Sequence, residues 1–159
     1  MLGSLTIRAC TEKDKSAFVR LNLEFMQEVM ASNPFWAGLN QPSVEEMARI
    51  FLEAITMPEN IQLFIAELNG EIVGYANTWT VYSIWAGGKA MTVDDLYVSS
   101  LYRKSGVGEK IMEYLICYAE THNCKRIQLH AEPENHKAHG LYKKLKFKEE
   151  EMVFFMKPL

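Results

Sequence analysis

Hydrophobic and polar residues recur with two different periods in the first third of the chain, and each period predicts one kind of element. Residues 5–9 alternate between apolar and polar, which predicts a half-buried strand. An apolar stripe at helical spacing follows, and it predicts a helix that begins at the N-cap Thr11 and ends before Asn33–Pro34. After a predicted loop, a second amphipathic helix begins at Ser43, the first residue of a capping-box motif, and ends before Pro58.

The middle of the chain predicts strands that follow one another through short connections. Two apolar, β-rich runs over residues 61–68 and 72–82 flank Asn69–Gly70, a dipeptide typical of tight hairpin turns. A further strand is predicted over residues 91–98, after a connection that contains glycines. We therefore expect an antiparallel meander in this part of the chain.

Helices and strands alternate in the second half of the chain. The pattern predicts a helix over residues 107–122, a strand over 126–131, a helix over 135–145 and a closing strand over 152–156. The strand, helix and strand between Met91 and Ala131 form a βαβ unit, whose two strands are parallel. We therefore predict an α/β (α+β) fold: a mixed, mostly antiparallel sheet with a central parallel βαβ unit and flanking helices, in one domain over residues 1–159.

Composition and charge narrow the class of protein. The chain has 159 residues, of which 48% are hydrophobic, enough for a sizeable core. Its 17 Lys+Arg and 20 Asp+Glu give a net charge of −3, which argues against nucleic acid as a partner. No apolar run approaches the roughly 20 residues that span a bilayer, and the first residues lack the features of a signal peptide. We expect a cytoplasmic protein with no membrane partner.

The cysteines and histidines indicate neither a disulfide framework nor a metal site. Cys10, Cys117 and Cys124 are odd in number and contain no C-x-x-C pair, so free thiols are expected. His136 and His139 could share one face of a helix, but no third ligand stands at a suitable spacing. We therefore expect no metal.

The start of the helix at residue 107 carries a candidate anion site. Free backbone N–H groups and the positive end of the helix dipole favour an anion there, and glycines let a phosphate approach the backbone. A loop whose basic residues are merely solvated would show the same short pattern. The candidate contacts are Arg103, Lys104, Ser105, Gly106, Val107 and Gly108.

Three phosphate-binding motifs compete for this loop. A Walker loop is excluded because the chain has no Gly-Lys-Ser/Thr triplet there. A dinucleotide fingerprint is disfavoured because Ile111 stands at the third glycine position, although Glu132 stands where a ribose-binding acid would. The remaining pattern is a pyrophosphate cradle of the Arg-x-x-Gly-x-Gly type, matched by Arg103, Gly106 and Gly108.

This loop and motifs elsewhere in the chain resemble the GNAT superfamily of acyl-CoA-dependent N-acyltransferases. The strand from Asp94 to Val98 and the preceding Trp85 are most similar to the diamine acetyltransferase branch. The chain departs from the family pattern where Lys104 and Lys146 replace glycines and Asp94 replaces a glutamate. The motifs that carry the resemblance are Ile7-Arg8-Ala9 with Asp14, Ile72-Val73-Gly74-Tyr75, Val93 to Val98, the Arg103 loop, and Asn135-x-x-Ala138-x-x-x-Tyr142 followed by Phe147.

The resemblance implies a binding site for acetyl-CoA. The strand that ends at Val98 and the strand that ends at Ala131 should splay apart and admit the pantetheine arm. That arm would bind the free backbone of Leu96, Tyr97 and Val98 in the way that an added strand does, and the side chain of Asn135 would bind it too. Asn135 would equally serve as an ordinary helix cap.

The resemblance also implies a base and an acid. An acceptor amine must lose a proton before it attacks a thioester, and Asp94 and Asp95 are the carboxylates available to take it. Neighbouring residues of a strand face opposite sides unless a bulge intervenes, and we expect Asp94 to act, through an ordered water. Either aspartate would equally serve to bind a cationic substrate. Tyr142 is the expected acid for the leaving thiolate, although a tyrosine that only packs in the core fits the same position.

The expected activity is transfer of an acetyl group from acetyl-CoA to a primary amine in a ternary complex. A small amine, such as a polyamine or an amino acid, is favoured over a peptide or protein amine. A non-catalytic coenzyme A-binding module and a dinucleotide-binding protein are the rival hypotheses. A homodimer is common among the similar proteins, although no residue pattern in the chain demonstrates one.

Overall fold

A five-stranded sheet organises the computed structural model, which describes residues 3–159. The strands lie side by side in chain order, and neighbours are antiparallel except for the last two, which are parallel. The predicted fold class is confirmed. The strands are β1 (Leu5–Ala9), β2 (Ile61–Leu68), β3 (Glu71–Ser83), β4 (Gly88–Val98) and β5 (Arg126–Leu129).

Helices cover both faces of this sheet. They are α1 (Lys15–Ser32), α2 (Pro34–Ala37), α3 (Val44–Ala54), α4 (Val107–Thr121) and α5 (His136–Lys144). Phe18 of α1 and Phe51 of α3 lie in the buried cluster on one face. Ile111 and Leu115 of α4 lie in the cluster on the other face. Because side chains alternate along a strand, the central strands supply both clusters. None of the helices within residues 3–159 has the length and apolar character needed to cross a bilayer.

Local sequence signals set several turns and helix starts. Asn69 and Gly70 have φ of 52° and 84°, the left-handed pair that a tight hairpin of type I′ requires. At the start of α3, the backbone N–H of Glu46 donates to the Ser43 hydroxyl at 3.2 Å, and the backbone N–H of Ser43 donates to the Glu46 carboxylate at 2.7 Å. The predicted capping box is therefore present.

A buried carboxylate ties β1 to the start of α1. Arg8 donates two hydrogen bonds to Asp14, at 2.8 and 2.9 Å, and the backbone N–H of Thr11 donates a third at 2.7 Å. The Arg8 guanidinium and the Thr11 donors lower the pKa of Asp14 from 3.8 to about 2. Asp14 is buried, so its charge depends on these partners.

The loop predicted after the first helix contains the short helix α2. Asn33 caps this helix, because its side-chain oxygen accepts from the backbone N–H of Phe35 at 3.0 Å. Pro34 occupies the first helical position, where its missing N–H leaves no intrahelical bond unmade. The Asn-Pro pair therefore ends one helix and begins another.

The closing strand predicted over residues 152–156 is wrong: residues 145–159 form neither helix nor strand. Alternation and β-propensity favour a strand, but a strand also needs a neighbour with free backbone groups. Phe154 instead packs against the rings of Phe35 and Trp36 of α2, with centroid distances of 6.2 and 6.0 Å. The C-terminal segment thus lies against α2 without a backbone ladder.

Candidate active site

The pairing between the parallel strands β4 and β5 ends part of the way along β4, where β5 ends. Pairing begins at Ala90 and Arg126 and ends at Val93 and Leu129, whereas β4 continues to Val98. Beyond Val93, β4 is paired only with β3 among the strands of residues 3–159. The edge of β4 that carries Leu96, Tyr97 and Val98 therefore has no strand beside it in the described residues, and we call the space along this edge, past the end of β5, the gap.

A β-bulge lies at the point where the gap opens. On β3, Asn77 stands opposite Asp95 and Thr78 stands opposite Val93, so Asp94 is the extra residue. Asp94 is exposed, whereas Asp95 is half-buried. The two carboxylates therefore occupy different environments although they are neighbours in sequence.

The surroundings of Asp95 disfavour the ionised form of its carboxyl group. Burial, together with the neighbouring charge of Asp94, raises the pKa of Asp95 from 3.8 to about 6. One of its oxygens accepts a hydrogen bond from the Asn77 side-chain amide at 3.2 Å. Asp95 shares a strand face with Tyr97, which lies two residues further along and packs in the cluster beneath α1 and α3.

The loop before α4 presents unpaired backbone donors. Lys104 and Gly106 have φ of 63° and 88°, and the first helical hydrogen bond joins the Lys110 N–H to the Gly106 carbonyl at 3.1 Å. In the described chain, the backbone N–H groups of residues 104–109 have no hydrogen-bond acceptor. These donors lie at the positive end of the α4 dipole, which is the arrangement that binds an anion.

The Arg103 side chain contacts α1 rather than pointing freely away from the loop. Its Nη2 lies 2.7 Å from Glu28 Oε2, and its Nε donates to the Val98 carbonyl at 2.8 Å. The Tyr97 hydroxyl donates to the same Glu28 carboxylate at 2.8 Å, and the Arg103 guanidinium lies 5.2 Å from the centre of the Tyr97 ring. Burial and the Glu28 carboxylate raise the pKa of Tyr97 to about 12. A phosphate at this loop would have to share Arg103 with Glu28 or withdraw it.

Asn135 and Tyr142 both belong to the α5 region. Asn135 caps the helix, because its side-chain oxygen accepts from the Ala138 N–H at 3.2 Å, which leaves its amide N–H groups as donors. Tyr142 packs against the core cluster beneath α4, and burial raises the pKa of its hydroxyl. It therefore lies on the opposite face of the sheet from Asp95 and makes no hydrogen bond with it.

The end of α5 fixes the Tyr142 ring. Lys146 has a φ of 65°, the left-handed conformation that most often belongs to glycine at a helix end. The N–H of Phe147 donates to the Tyr142 carbonyl and the N–H of Lys146 donates to the Lys143 carbonyl, both at 3.0 Å, which is a Schellman motif. Phe147 then packs on Tyr142 at 5.8 Å between ring centroids. Lys146 thus retains the backbone conformation of the glycine that it replaces.

Sequence reasoning missed two residues near the candidate site. Asn77 and Glu28 gave no signal, because their roles depend on a bulge and on a contact between α1 and β4. Trp36 joins Asn33 in donating to Glu132 Oε1, at 2.9 and 3.1 Å, which ties α2 to the chain after β5. Glu132 is therefore engaged within the protein, which weakens its interpretation as a ribose-binding acid.

The histidines considered as metal ligands are engaged differently. His139 lies 2.6 Å from the Glu149 carboxylate through Nδ1 and 3.0 Å from the Glu132 carbonyl through Nε2. Within residues 3–159, no group of three His, Cys, Asp or Glu side chains is arranged to hold a metal ion.

Curated relatives include three N-acetyltransferases. The chain is 28% identical over 118 residues to an uncharacterized N-acetyltransferase, YhfO, of Bacillus subtilis, a match that covers 74% of this chain and 79% of the relative. It is 26% identical over 156 residues to the D-amino-acid N-acetyltransferase HPA3 of Saccharomyces cerevisiae, covering 94% and 89%. Identity to the thialysine N-epsilon-acetyltransferase of Mus musculus is 35% over 72 residues, but that match spans less than half of either protein, 45% and 42%.

Solved structures and a family model agree with these relatives. An integron cassette protein, HFX_CASS3, superposes with a TM-score of 0.78 at 22% identity, covering 96% of this chain and 90% of the other. An aminoglycoside acetyltransferase, meta-AAC0020, superposes with a TM-score of 0.75 at 19% identity, covering 98% and 96%. Because the sequence identities to these two structures are low, the superpositions support the fold alone. The model of the acetyltransferase (GNAT) family matches residues 23–147. The chain therefore belongs to the GNAT acetyltransferase family, and it is an acetyl-CoA-dependent N-acyltransferase.

Proposed function

We propose that this acetyltransferase acts on a primary amine of a small molecule, with a polyamine or an amino acid as the favoured class of acceptor. The observation that carries the proposal is the pair of carboxylates at the mouth of the gap, one exposed and one half-buried with a raised pKa. Adjacent carboxylates attract a cationic amine. Relatives named for D-amino acids and for thialysine support a small acceptor.

The gap between β4 and β5 fits acetyl-CoA, which supplies the activated acetyl group. The unpaired N–H groups of residues 104–109 match the charge of a diphosphate. The open edge of β4 at Leu96, Tyr97 and Val98 matches the amides of a pantetheine arm, and the Asn135 amide adds a donor on the far side of the gap. Lys104, Ser105, Gly106, Val107 and Gly108 would contact phosphate mainly through their backbone.

Asp95 has better properties as a base than Asp94, which the sequence favoured. A base is most effective when its pKa lies near the working pH, and the pKa of Asp95 is raised to about 6. At neutral pH Asp95 is ionised, yet it holds a proton more tightly than an ordinary aspartate does. We assign the base to Asp95 and assign attraction of the ammonium to the exposed Asp94, with the proton passing through an ordered water.

We assign the acid to Tyr142, which packs on the opposite face of the sheet from Asp95. Because burial raises the pKa of its hydroxyl, Tyr142 stays protonated at neutral pH and can donate to a thiolate. The Schellman motif and Phe147 hold the ring in place. A base and an acid on opposite faces suit a reaction in which the amine enters from one side and the thiol leaves on the other.

Release of thiol from acetyl-CoA in the presence of different amines tests the proposal. The panel contains a diamine, a polyamine, amino acids and a peptide with a free amino group. Saturable release of thiol with the small amines supports the proposal. Activity with the peptide alone would instead identify protein amines as the acceptors. Tight binding of coenzyme A without turnover on any amine would instead favour a binding module.

A pair of variants tests the acid. Tyr142→Phe should lower kcat much more than it weakens cofactor binding, because only the proton donor is removed. Tyr114→Phe is the matched control, since Tyr114 also borders the cluster beneath α4 but lies on α4, away from the end of α5. Equal rates for the two variants would remove Tyr142 from this role.

A further inference from the structure

The Tyr75 hydroxyl is a buried polar group that has no hydrogen-bond partner among residues 3–159. Tyr75 lies on β3 and is 0% exposed. Buried hydroxyl groups are nearly always paired with a protein group or with an ordered water, because an unpaired one is destabilising. A phenylalanine would fill the same place without this disadvantage, so the hydroxyl points to a function.

The register of the sheet places Tyr75 next to Asp95. Tyr75 stands opposite Tyr97 in the pairing of β3 with β4, and Asn77 stands opposite Asp95. Because side chains alternate along a strand, these four residues project from the same face of the sheet, which α1 and α3 cover. Tyr75 and Asp95 are therefore diagonal neighbours, roughly 7 Å apart, which is within reach of an aromatic side chain.

Asp95 has a free acceptor where Tyr75 has a free donor. The Oδ2 atom of Asp95 accepts from the Asn77 amide at 3.2 Å, whereas its Oδ1 atom accepts no hydrogen bond within the described chain. Burial and the charge of Asp95 raise the pKa of Tyr75, so its hydroxyl stays protonated and the two groups sense each other. One water that accepts from the hydroxyl and donates to Oδ1 would satisfy both groups.

The helices above Tyr75 present aromatic rings to it. The rings of Phe18 and Phe25 of α1 lie 4.9 and 6.4 Å from the Tyr75 ring, measured between centroids. Phe51 of α3 belongs to the same buried cluster, and Asn22, which is buried between the two phenylalanines of α1, carries no charge. These rings exclude bulk water, and a hydrogen bond is stronger in such surroundings.

The charges around this site come from β4. Asp94 and Tyr97 are the titratable groups beside Tyr75 and Asp95 on that strand. Glu28 of α1 is engaged elsewhere, because it accepts from the Tyr97 hydroxyl and pairs with Arg103. Within the described residues, the covering helices therefore add no charge that would replace the Tyr75 hydroxyl as a partner of Asp95.

We propose that Tyr75 is a positioning residue for Asp95, and that its hydroxyl donates through one internal water to the Asp95 carboxylate. This inference rests on the proposed function, in which Asp95 is the base. The proton of the amine passes to the carboxylate, and the Tyr75 hydroxyl keeps its own proton. The link fixes the orientation of the carboxylate and favours its ionised form, which is the form that accepts the proton.

Carbon NMR of the Asp95 carboxyl in the resting enzyme tests the link without acetyl transfer. Tyr75→Phe should raise the pKa of Asp95 by about one pH unit, because it removes a hydrogen bond to the ionised form. Tyr118→Phe is the matched control, because Tyr118 is a partly buried tyrosine of α4 that borders the cluster on the other face of the sheet. It should leave the pKa of Asp95 unchanged. An unchanged pKa in Tyr75→Phe, or an equal rise in both variants, would overturn the proposal.

The pH profile of acetyl transfer tests the consequence for the base. With the pKa of Asp95 raised from about 6 by about one unit, kcat/KM of Tyr75→Phe should fall roughly fivefold at pH 6 and change little at pH 8. A rising limb that stays in place while the NMR pKa rises would contradict Asp95 as the base, and the link from Tyr75 to Asp95 would stand. The two failures are therefore distinguishable.

Thermal unfolding separates a linked hydroxyl from one without any partner. Loss of a linked hydroxyl should lower the Tm of Tyr75→Phe, and by more at pH 8, where Asp95 is ionised, than at pH 4. Loss of a hydroxyl that has no partner would leave the Tm unchanged or raise it. A Tm for Tyr75→Phe equal to or above that of the wild type at pH 8 would therefore also overturn the proposal.

Discussion

Replacing Asp95 by asparagine should make the protein more stable and much less active. The substitution keeps the size of the side chain and an oxygen that accepts from Asn77, but it removes the charge. The pKa of Asp95 is raised from 3.8 to about 6, so the folded state holds this proton more tightly than the unfolded state does. The stability that this proton contributes is complete below pH 3.8 and is lost as pH rises through about 6.

The size of the effect follows from the two pKa values. A pKa that rises from 3.8 to about 6 corresponds to an upper limit of about 3 kcal/mol, at about 1.4 kcal/mol for each pH unit. Asp95 is only half-buried, so water screens part of this cost and about 1 to 2 kcal/mol remains. Asp95→Asn should therefore unfold roughly 3 to 6 °C above the wild type at pH 8. The difference should shrink as pH falls through about 6 and should be small at pH 4, where the carboxyl of the folded wild type is protonated.

Thermal unfolding between pH 4 and pH 8 and acetyl-transfer assays on the same samples provide the test. Loss of the base should lower kcat by about a hundredfold or more and should remove a rising limb near pH 6 from the kcat/KM profile. Asp94→Asn is the comparison: it removes the neighbouring charge that helps to raise the pKa of Asp95, so it should shift the rising limb to lower pH without removing it, and it should raise KM for a cationic amine. An Asp95→Asn variant that is less stable than the wild type at pH 8, or that keeps the rising limb, would refute the reasoning. Loss of the limb in Asp94→Asn alone would return the base to Asp94.

Three further predictions concern the helix end, the N-terminal ion pair and the phosphate loop. Lys146→Gly should raise the free energy of unfolding, measured in urea, by about 1 kcal/mol, because glycine adopts a φ of 65° without a clash of its side chain. An unchanged free energy of unfolding would mean that this backbone conformation carries no strain. Asp14→Asn should lower the free energy of unfolding by about 2 kcal/mol at pH 7, because it removes the charged partner of Arg8. This loss should shrink as pH falls from 4 toward 2, because the wild-type carboxylate becomes protonated in that range. Glu28→Gln should lower the dissociation constant of coenzyme A severalfold, as measured by calorimetry, because it frees Arg103 to bind phosphate. Unchanged or weaker binding would show that Arg103 serves only to hold α1 to the loop.

The sequence by itself determined those features that depend on neighbouring residues. The Asn69–Gly70 turn, the capping box at Ser43 and the glycine at the start of α4 each need only a few adjacent residues, and each is found where its motif stands. The replacement of glycines by Lys104 and Lys146 is a departure visible in sequence, and both lysines adopt the left-handed conformation. Periodicity likewise assigned the elements that face the core.

Only the tertiary structure decided the features that depend on distant partners. The sequence does not distinguish the adjacent residues Asp94 and Asp95. The β-bulge in the pairing of β3 with β4 distinguishes them, because it leaves Asp94 exposed and Asp95 half-buried opposite Asn77. The contact of Arg103 with Glu28 brings together α1 and the loop before α4, which no local pattern specifies. Residues 152–156 have the composition of a strand but do not form one in the described chain. The reason is that β-pairing is a property of two segments, and a sequence pattern describes only one of them.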